Sequence, residues 1–267
     1  MDDLWTPLFP AVDAAGEFTV TPPFPETGSP RVYGGHLIAT ALTAACETSP
    51  GYLPHSVHAL FLRPTASGEP VDGVVHTIKD GRQFSQRRVE LSQNGKAVFD
   101  ATVSLQAVRD DAPEPDQIAS ALPAHPSADE VEGHATPFLS LSTDLWFEQR
   151  GVSASPMILW VKAVDAAPRD AAAEHAIVAA MTDTGLVYAA DPVAAEATAD
   201  GYGMVRAVTL AHSVWFHRAP AVDEWVLLVA DPVSSEGGRA LARGRAWAED
   251  GRLIASYAQE VLVHPAG

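Results

Sequence analysis

The stretch SVHALFLRP at residues 56–64 returns later in the chain, in altered form, as AHSVWFHRAP at residues 211–220. Aligning Phe61 with Phe216 also aligns Arg63 with Arg218, at the same separation of 155 residues. A phrase written twice at a fixed separation, in a chain of 267 residues, predicts two copies of one structural unit.

A turn signal follows each copy of the phrase, 30 residues after its proline: Asn94-Gly95 in the first half and Asp250-Gly251 in the second. These dipeptides favour two-residue hairpins, because both turn residues adopt positive φ. The next residues alternate at strand period, with one face formed by Phe99, Ala101, Val103 and Leu105 in the first half and by Leu253, Ala255, Tyr257, Gln259 and Val261 in the second. We therefore predict a duplicated β-unit, with chance similarity between two hairpins as the alternative.

A helix candidate precedes each unit. Residues 34–48 place Leu37, Ile38, Ala41 and Ala45 on one stripe, and residues 181–192 predict a shorter helix with Asp183 as its N-terminal cap. The acidic, proline-rich residues 109–135 are typical of a solvated linker. We expect an α+β fold with an N-terminal unit at 1–108, this linker, and a C-terminal unit at 136–267, in which antiparallel strands wrap long helices.

Composition excludes several classes of protein. The net charge of −17 disfavours a nucleic-acid binder, since phosphate contacts need a basic face. No apolar run approaches the length of a membrane span, and the acidic N-terminus differs from a signal peptide. The single cysteine, Cys46, excludes an internal disulfide and favours a cytoplasmic protein. Its Ala-rich surroundings indicate a buried structural thiol and not a nucleophile.

Six motifs spread over both halves resemble the type II acyl-CoA thioesterase (TesB-like) family. They are YGGH at 33–36, FLRP at 61–64, KDGRQFSQRRV at 79–89, QNGK at 93–96, HSVWFHR at 212–218 and SYAQE at 256–260. The resemblance implies a double hotdog, two fused hotdog units, that hydrolyses a fatty acyl-CoA to fatty acid and CoA without a metal or other cofactor. It also implies that Asp183, Thr209 and Gln259 hold the hydrolytic water. The chain departs from the family at His36, where Gln is usual, and at Ala211, where an acidic residue is frequent.

The duplication points to the second half independently of the resemblance. At the hairpin separation of 156 residues Gln259 corresponds to Val103, and at the predicted helix starts Asp183 corresponds to His36. A buried amide costs about 1–3 kcal/mol unless it finds hydrogen-bond partners. Two polar exceptions in one half are what a duplication with one remaining site would leave. A satisfied core amide and a plain helix cap are the structural alternatives.

These residue types suit thioester hydrolysis, which needs a base, a positioned water and stabilisation of the oxyanion. Asp183 can take the proton of the water if burial raises its pKa, and Thr209 and Gln259 can orient that water. Main-chain N–H groups at the helix start, around Gly35 and His36, are candidates for contact with the substrate.

Three arginines are candidates for contacts with the CoA phosphates: Arg82, Arg87 and Arg88. Exposed arginines at a strand edge are the alternative interpretation.

Other active-site classes fit less well. His212 and Ser213 are adjacent on a strand and face opposite ways, no GxSxG elbow occurs, and no cluster has metal-ligand spacing. A hotdog enoyl-thioester hydratase or dehydratase, or a non-catalytic acyl-CoA-binding hotdog protein, is the alternative to hydrolysis. Release of free thiol from acyl-CoA separates hydrolysis from both. Acyl chain length is not predicted, and a homo-oligomer remains open.

Overall fold

The computed structural model describes residues 8–22, 30–108, 147–154, 157–163, 170–190 and 207–263. In these residues eleven strands form one antiparallel sheet that holds two long helices and one short one. The strands are β1 (Glu17–Val20), β2 (Tyr52–Phe61), β3 (Val71–Asp80), β4 (Phe84–Gln93), β5 (Lys96–Ala107), β6 (Phe147–Ala154), β7 (Met157–Ala163), β8 (Ala207–Phe216), β9 (Val226–Glu236), β10 (Arg239–Ala248) and β11 (Leu253–Val263). The helices are α1 (Gly34–Glu47), α2 (Ala171–Thr182) and α3 (Leu186–Ala190).

The two copies of the repeated phrase are neighbours in the middle of the sheet. The strand order is β1-β3-β4-β5-β2-β8-β11-β10-β9-β7-β6, so β2 and β8 join the two halves. In their antiparallel register His58 lies opposite Ser213, its counterpart at the separation of 155 residues. A pseudo-two-fold axis therefore passes between these two residues, and the strands of each half follow outward in the same order.

The long helices pack against each other on the inner face of the sheet. Every residue of α1 from Gly35 to Ala45 is buried, because strands β2, β4 and β5 wrap one side of the helix and α2 covers another. Small side chains on α1, chiefly alanine, allow this close approach. The predicted duplication of a β-unit that wraps a helix is thus present in the fold.

The short helix predicted within residues 181–192 is present as α3, Leu186–Ala190, but the long helix before it was not predicted and the role given to Asp183 was wrong. Helix α2 begins after Asp170, whose side chain accepts a hydrogen bond of 3.0 Å from the N–H of Ala173. Asp183 is the C-cap of α2, not the N-cap of a later helix. The C-cap of α1 is Thr48. The counterpart of Asp183 in the first half is therefore Thr48 and not His36.

The two predicted hairpin turns also differ. Asn94 and Gly95 have φ angles of 53° and 71° and form the two-residue turn between β4 and β5, as predicted. The second connection is a four-residue loop from Glu249 to Arg252, in which only Gly251 has positive φ. The Asp250 side chain accepts the N–H of Arg252 there, which stabilises the longer loop.

The predicted linker at 109–135 lies outside the described residues, so the unit boundaries remain predictions. None of the described helices is long and apolar enough to span a membrane.

Candidate active site

The C-terminal end of α2 meets the N-terminal end of α1 at the two glycines of the YGGH motif. A Cβ atom on Gly34 would lie 2.7 Å from Oδ2 of Asp183, and one on Gly35 would lie 2.6 Å from the carbonyl oxygen of Ala180. The hydroxyl of Tyr33 donates to that carbonyl at 2.6 Å. Only glycine permits this approach, which brings the carboxylate against the positive end of a helix.

Asp183 is buried, with 8% of its surface exposed. Burial raises the pKa of its carboxyl from 3.8 to about 6, although hydrogen bonds from the Gly35 N–H and the Gln259 side chain oppose the rise. Oδ1 has no hydrogen-bond partner among the described groups. The site therefore holds a carboxylate that is ionised at neutral pH, is a stronger base than an exposed aspartate, and has one buried oxygen without a hydrogen-bond partner among the described groups.

A chain of hydrogen bonds leads from Gln259 in two directions. Its Nε2 donates to Oγ1 of Thr209 at 2.8 Å, and its Oε1 lies 2.8 Å from Nδ1 of His212. Nε2 of His212 lies 2.9 Å from the hydroxyl of Thr182, next to Asp183 in sequence. Gln259 and His212 are 0% and 1% exposed. The structure thus brings Asp183, Thr209 and Gln259 together and satisfies the buried amide, as its burial requires.

A cavity of about 420 Å³ opens beside this cluster. Gly34 and Thr209 both line it and both adjoin the polar groups described above. Its other walls are mostly apolar and include Leu37, Phe61, Leu62, Val208, Leu210 and Leu262. Arg31 and Arg63 supply its positive charge. The cavity therefore offers apolar walls to an apolar chain and positive charge to an anionic group.

In the first half, the positions equivalent to His212 and Gln259 are apolar. Val57 lies opposite Val103 in the sheet, as His212 lies opposite Gln259. The predicted correspondence of Gln259 with Val103 is thereby confirmed. The next strand differs too: Ala242 lies opposite Gln259, whereas Arg87 lies opposite Val103.

Arg87 fills the space in the first half that corresponds to the polar cluster. Only 3% of it is exposed, and its guanidinium donates to Oγ1 and the carbonyl oxygen of Thr48, the counterpart of Asp183. It also donates to Ser85 and forms a 2.7 Å ion pair with Asp80. These bonds hold the pKa of Asp80 below its usual value. A guanidinium engaged in this way is a structural group, in contrast to its predicted contact with CoA.

The other residues predicted to bind substrate lie apart from the cavity. Arg88 is on the outer face of the sheet, paired with Asp100 and Glu90. Arg82 lies in the turn that contacts Tyr52, at the start of β2, while the cavity lies at the end of that strand, roughly 30 Å away. Gly35 and His36 are buried behind Gly34 and Leu37, which line the cavity.

Sequence reasoning missed His212, Thr182 and the two arginines of the cavity as functional candidates. The repeat contained a signal for His212 and Arg63. His212 is a polar residue where the first copy has Val57, and Arg63 belongs to the phrase written twice. No comparable signal marks Thr182, which is one of several hydroxyl residues near the end of a helix.

The fold and the site define a double hotdog with one buried acid–amide–hydroxyl cluster beside a mostly apolar cavity. Residues 20–106 match the model of the acyl-CoA thioesterase N-terminal domain and residues 109–263 that of the C-terminal domain. The chain belongs to the acyl-CoA thioesterase family and is a thioester hydrolase. The predicted family and double hotdog fold are confirmed.

Individual relatives agree with this assignment. The chain is similar to acyl-CoA thioesterase 2 of Haemophilus influenzae, with 28% identity over 89% of each chain. It is also similar to human acyl-coenzyme A thioesterase 8, with 28% identity over 87% of this chain and 80% of that one. The solved structure of the tesB protein of Mycobacterium avium subspecies paratuberculosis shares 30% identity and 98% of each chain, at a TM-score of 0.78. TesB2 of Mycobacterium marinum, an acyl-CoA thioesterase II, has the same TM-score at 26% identity.

The structural role of Arg87 can be tested by Arg87→Met, with Arg88→Met as the exposed control. We expect Arg87→Met to lower the free energy of unfolding by about 1–3 kcal/mol, because buried acceptors on Thr48 lose their donors. Arg88→Met is expected to change it by less than about 0.5 kcal/mol. Urea unfolding of both variants provides the comparison. A KM for acyl-CoA that rises strongly in folded Arg87→Met would instead favour contact with CoA.

Proposed function

We propose that the protein hydrolyses fatty acyl-CoA with a water that Asp183 deprotonates and that Thr209 and Gln259 orient. The observation that carries the proposal is the meeting of these three side chains, of which Thr209 lines the cavity, with Oδ1 of Asp183 unpartnered among the described groups. Hydrolysis requires a water near both a base and an electrophilic carbonyl, and this cluster supplies the base and the orienting groups in one place.

Each group has a defined part in the reaction. Thr209 Oγ1 accepts from Gln259, so its own hydroxyl proton remains to be donated to the water. As the water oxygen attacks the thioester carbon, one of its protons passes to Asp183. The tetrahedral intermediate then expels the CoA thiolate, which takes the proton back from Asp183. The products are a fatty acid and CoA with a free thiol.

The N-terminal end of α1 is suited to stabilise the negative charge on the thioester oxygen. Gly34 lines the cavity at the first residue of the helix, where the helix dipole is positive. The next two N–H groups are engaged, since Gly35 donates to Asp183 and His36 to the carbonyl oxygen of Tyr33. The absence of a side chain at Gly34 lets a substrate carbonyl approach the backbone. The same helix end favours the ionised form of Asp183.

Arg31 and Arg63 are suited to bind the CoA phosphates, and the apolar walls are suited to the acyl chain. Arg63 is exposed, and its guanidinium donates to the carbonyl oxygen of Ala97 with donors to spare. In an acidic protein, two arginines at one cavity give a local attraction for a polyanionic ligand.

A role in fatty-acid metabolism in the cytoplasm fits this reaction. A single cysteine suits a reducing compartment, and acyl-CoA is the substrate that the cavity and its arginines accommodate. A homo-oligomer is compatible with the fold, although the cluster described above is complete in one chain.

Replacing Asp183 by Asn removes the base and keeps the shape of the side chain. We expect kcat of Asp183→Asn to fall by roughly two to four orders of magnitude. In the wild-type protein, kcat/KM should decline about tenfold per pH unit below pH 6, because only ionised Asp183 accepts the proton. Thiol release from an acyl-CoA between pH 5 and pH 8 measures both. Wild-type turnover in Asp183→Asn would exclude Asp183 as the base.

Stability gives a control for folding in the same variant. The folded state favours protonated Asp183, so ionisation lowers the stability of the wild-type protein as pH rises through 6. The free energy of unfolding of wild type relative to Asp183→Asn should therefore decrease by about 1–2 kcal/mol from pH 5 to pH 8. A difference that is constant with pH would show that the carboxyl is not buried as described.

The proposed phosphate contact predicts an effect on KM alone. We expect Arg63→Ala to raise KM for acyl-CoA about threefold to tenfold with little change in kcat, because one charge contact is lost. Arg88→Ala, which removes an exposed arginine far from the cavity, should leave KM within about twofold. Equal effects of the two variants would assign the change to net charge and not to a contact.

The reaction should proceed without a metal or a thiol nucleophile. Among the described residues, no group of His, Cys, Asp and Glu is arranged to hold a metal ion. Burial raises the pKa of the Cys46 thiol to about 12, which keeps it protonated. Turnover should be unchanged after dialysis against a chelator and after treatment with iodoacetamide. A loss of turnover on chelation that added metal restores would contradict the proposed activation of water by Asp183.

A further inference from the structure

His212 is buried on the inner face of β8 and contacts the site only through other side chains. Its ring is stacked on that of Tyr257, with centroids 6.4 Å apart and an angle of 21° between the planes. Burial lowers the pKa of the ring to about 4, so His212 is neutral above pH 5 and carries one ring proton. The ring nitrogen that carries this proton donates a hydrogen bond, and the other ring nitrogen accepts one.

The hydrogen bonds around Gln259 locate the proton. The amide nitrogen of Gln259 donates to Thr209, and the Gln259 side chain also donates to Asp183. Oε1 of Gln259 is therefore the atom that faces Nδ1 of His212, and only a protonated Nδ1 can donate to it. Nε2 of His212 then carries no proton, and the single hydroxyl proton of Thr182 is shared between the carbonyl oxygen of Ala179, at 2.7 Å, and that nitrogen, at 2.9 Å.

We propose that His212 is a positioning residue that fixes the Gln259 amide with its nitrogen toward Thr209 and Asp183. This inference rests on the proposed function. Donation runs from Nδ1–H of His212 to Gln259, and from Gln259 to Thr209 and Asp183. The hydrogen bond from Nδ1–H holds Oε1 toward His212, which leaves the amide nitrogen to face Thr209 and Asp183.

The reversed amide would harm the site in two ways. It would turn Oε1 toward the Asp183 carboxylate, which loses a hydrogen bond and meets a second acceptor. It would also take the Thr209 hydroxyl proton, which is needed for the water. The reversed orientation therefore lowers turnover and raises the pKa of the base.

The first half shows which residues can replace His212 and Gln259 in this sheet. Val57 and Val103 occupy the positions of His212 and Gln259, and both are 0% exposed. Valine at both places is thus compatible with the same sheet. A single change in the second half leaves one buried polar group facing a valine, whereas the double change reproduces the apolar pair.

A double-mutant cycle of His212→Val and Gln259→Val tests the proposal. We expect His212→Val alone to lower kcat about tenfold to a hundredfold with KM within about twofold, since the amide is misoriented but the cavity is intact. In the Gln259→Val background the same change should lower kcat no further, because there is no amide left to orient. His212→Asn, whose side-chain N–H can replace Nδ1–H, should restore most of the turnover. Thermal unfolding midpoints of all variants identify any that do not fold.

The pH profile provides a readout that a packing role would not change. The acidic limb of kcat/KM should move to higher pH in His212→Val, because Asp183 loses the amide donor. The titratable and charged groups that face Asp183 from the elements meeting here are Tyr33 and His36 at the start of α1, His175 on α2, His212 on β8, Tyr257 on β11, and Arg31 and Arg63 at the cavity. All except His212 are the same in the variant, so the shift reports the change at Asp183.

The outcomes separate this inference from the proposed function. A His212→Val effect of equal size in both backgrounds, or an unshifted acidic limb, would overturn the positioning role. Full turnover in His212→Val with impaired Gln259→Val would overturn this inference alone. Full turnover in Gln259→Val would overturn the proposed function, and the role of His212 with it. The positioning role of His212 is supported if kcat falls in His212→Val, recovers in His212→Asn, and falls no further when His212→Val is combined with Gln259→Val.

Discussion

The antiparallel pairing of β2 with β8 is the constraint on which the core and the site both depend. Because the register places His58 opposite its own counterpart Ser213, the two halves are related by a two-fold operation, and α1 and α2 must run past each other in opposite directions. The start of α1 therefore meets the end of α2, which carries Asp183. A shift of one residue in β8 would turn His212 outward and Ser213 inward, since side chains alternate between the faces of a strand. The site would then be lost although every element remained.

At equivalent positions on the inner face of the sheet, the polar residue lies on β11 in the second half and on β4 in the first half. The second half has the amide of Gln259 opposite the small Ala242, which leaves room for the carboxylate of Asp183. The first half has Val103 opposite Arg87, whose guanidinium occupies the corresponding space. Arg87 is a charged group with all its main bonds made inside the protein, and so it has nothing left to offer a substrate. Asp183 is a charged group with one oxygen unpartnered among the described atoms, and this difference is the reason that we propose the second half as the catalytic one.

Comparison of the two repeats predicted the strands and the equivalence of their positions. The roles of residues whose surroundings depend on tertiary contacts were predicted less well. Strand alternation and the Asn94-Gly95 turn are local, and the equivalence of Gln259 with Val103 followed from spacing alone. Asp183 looked like an N-cap because aspartate favours that position, but Asp170 already caps the helix, and an unbroken Ala-rich segment leads from it to Thr182. Strand alternation with Val89 and Leu91 does place Arg87 on the inner face of β4 and Arg88 on the outer face. The partners that satisfy the buried guanidinium, at Thr48 and Asp80, could not be predicted because they depend on tertiary contacts. Neighbouring arginines in one motif thus have opposite environments.

The polar groups of the second half also constrain one another. If Gln259 were the only difference between the halves, an apolar residue there would be as stable as Val103 is in the first half. It is not the only difference, because His212 also replaces a valine, and a buried imidazole facing a valine would leave a donor unsatisfied at a cost of about 1–3 kcal/mol. The amide therefore stabilises the imidazole as much as the imidazole orients the amide. Loss of either residue alone therefore leaves a buried polar group of the other unsatisfied, so each residue makes the other necessary for stability.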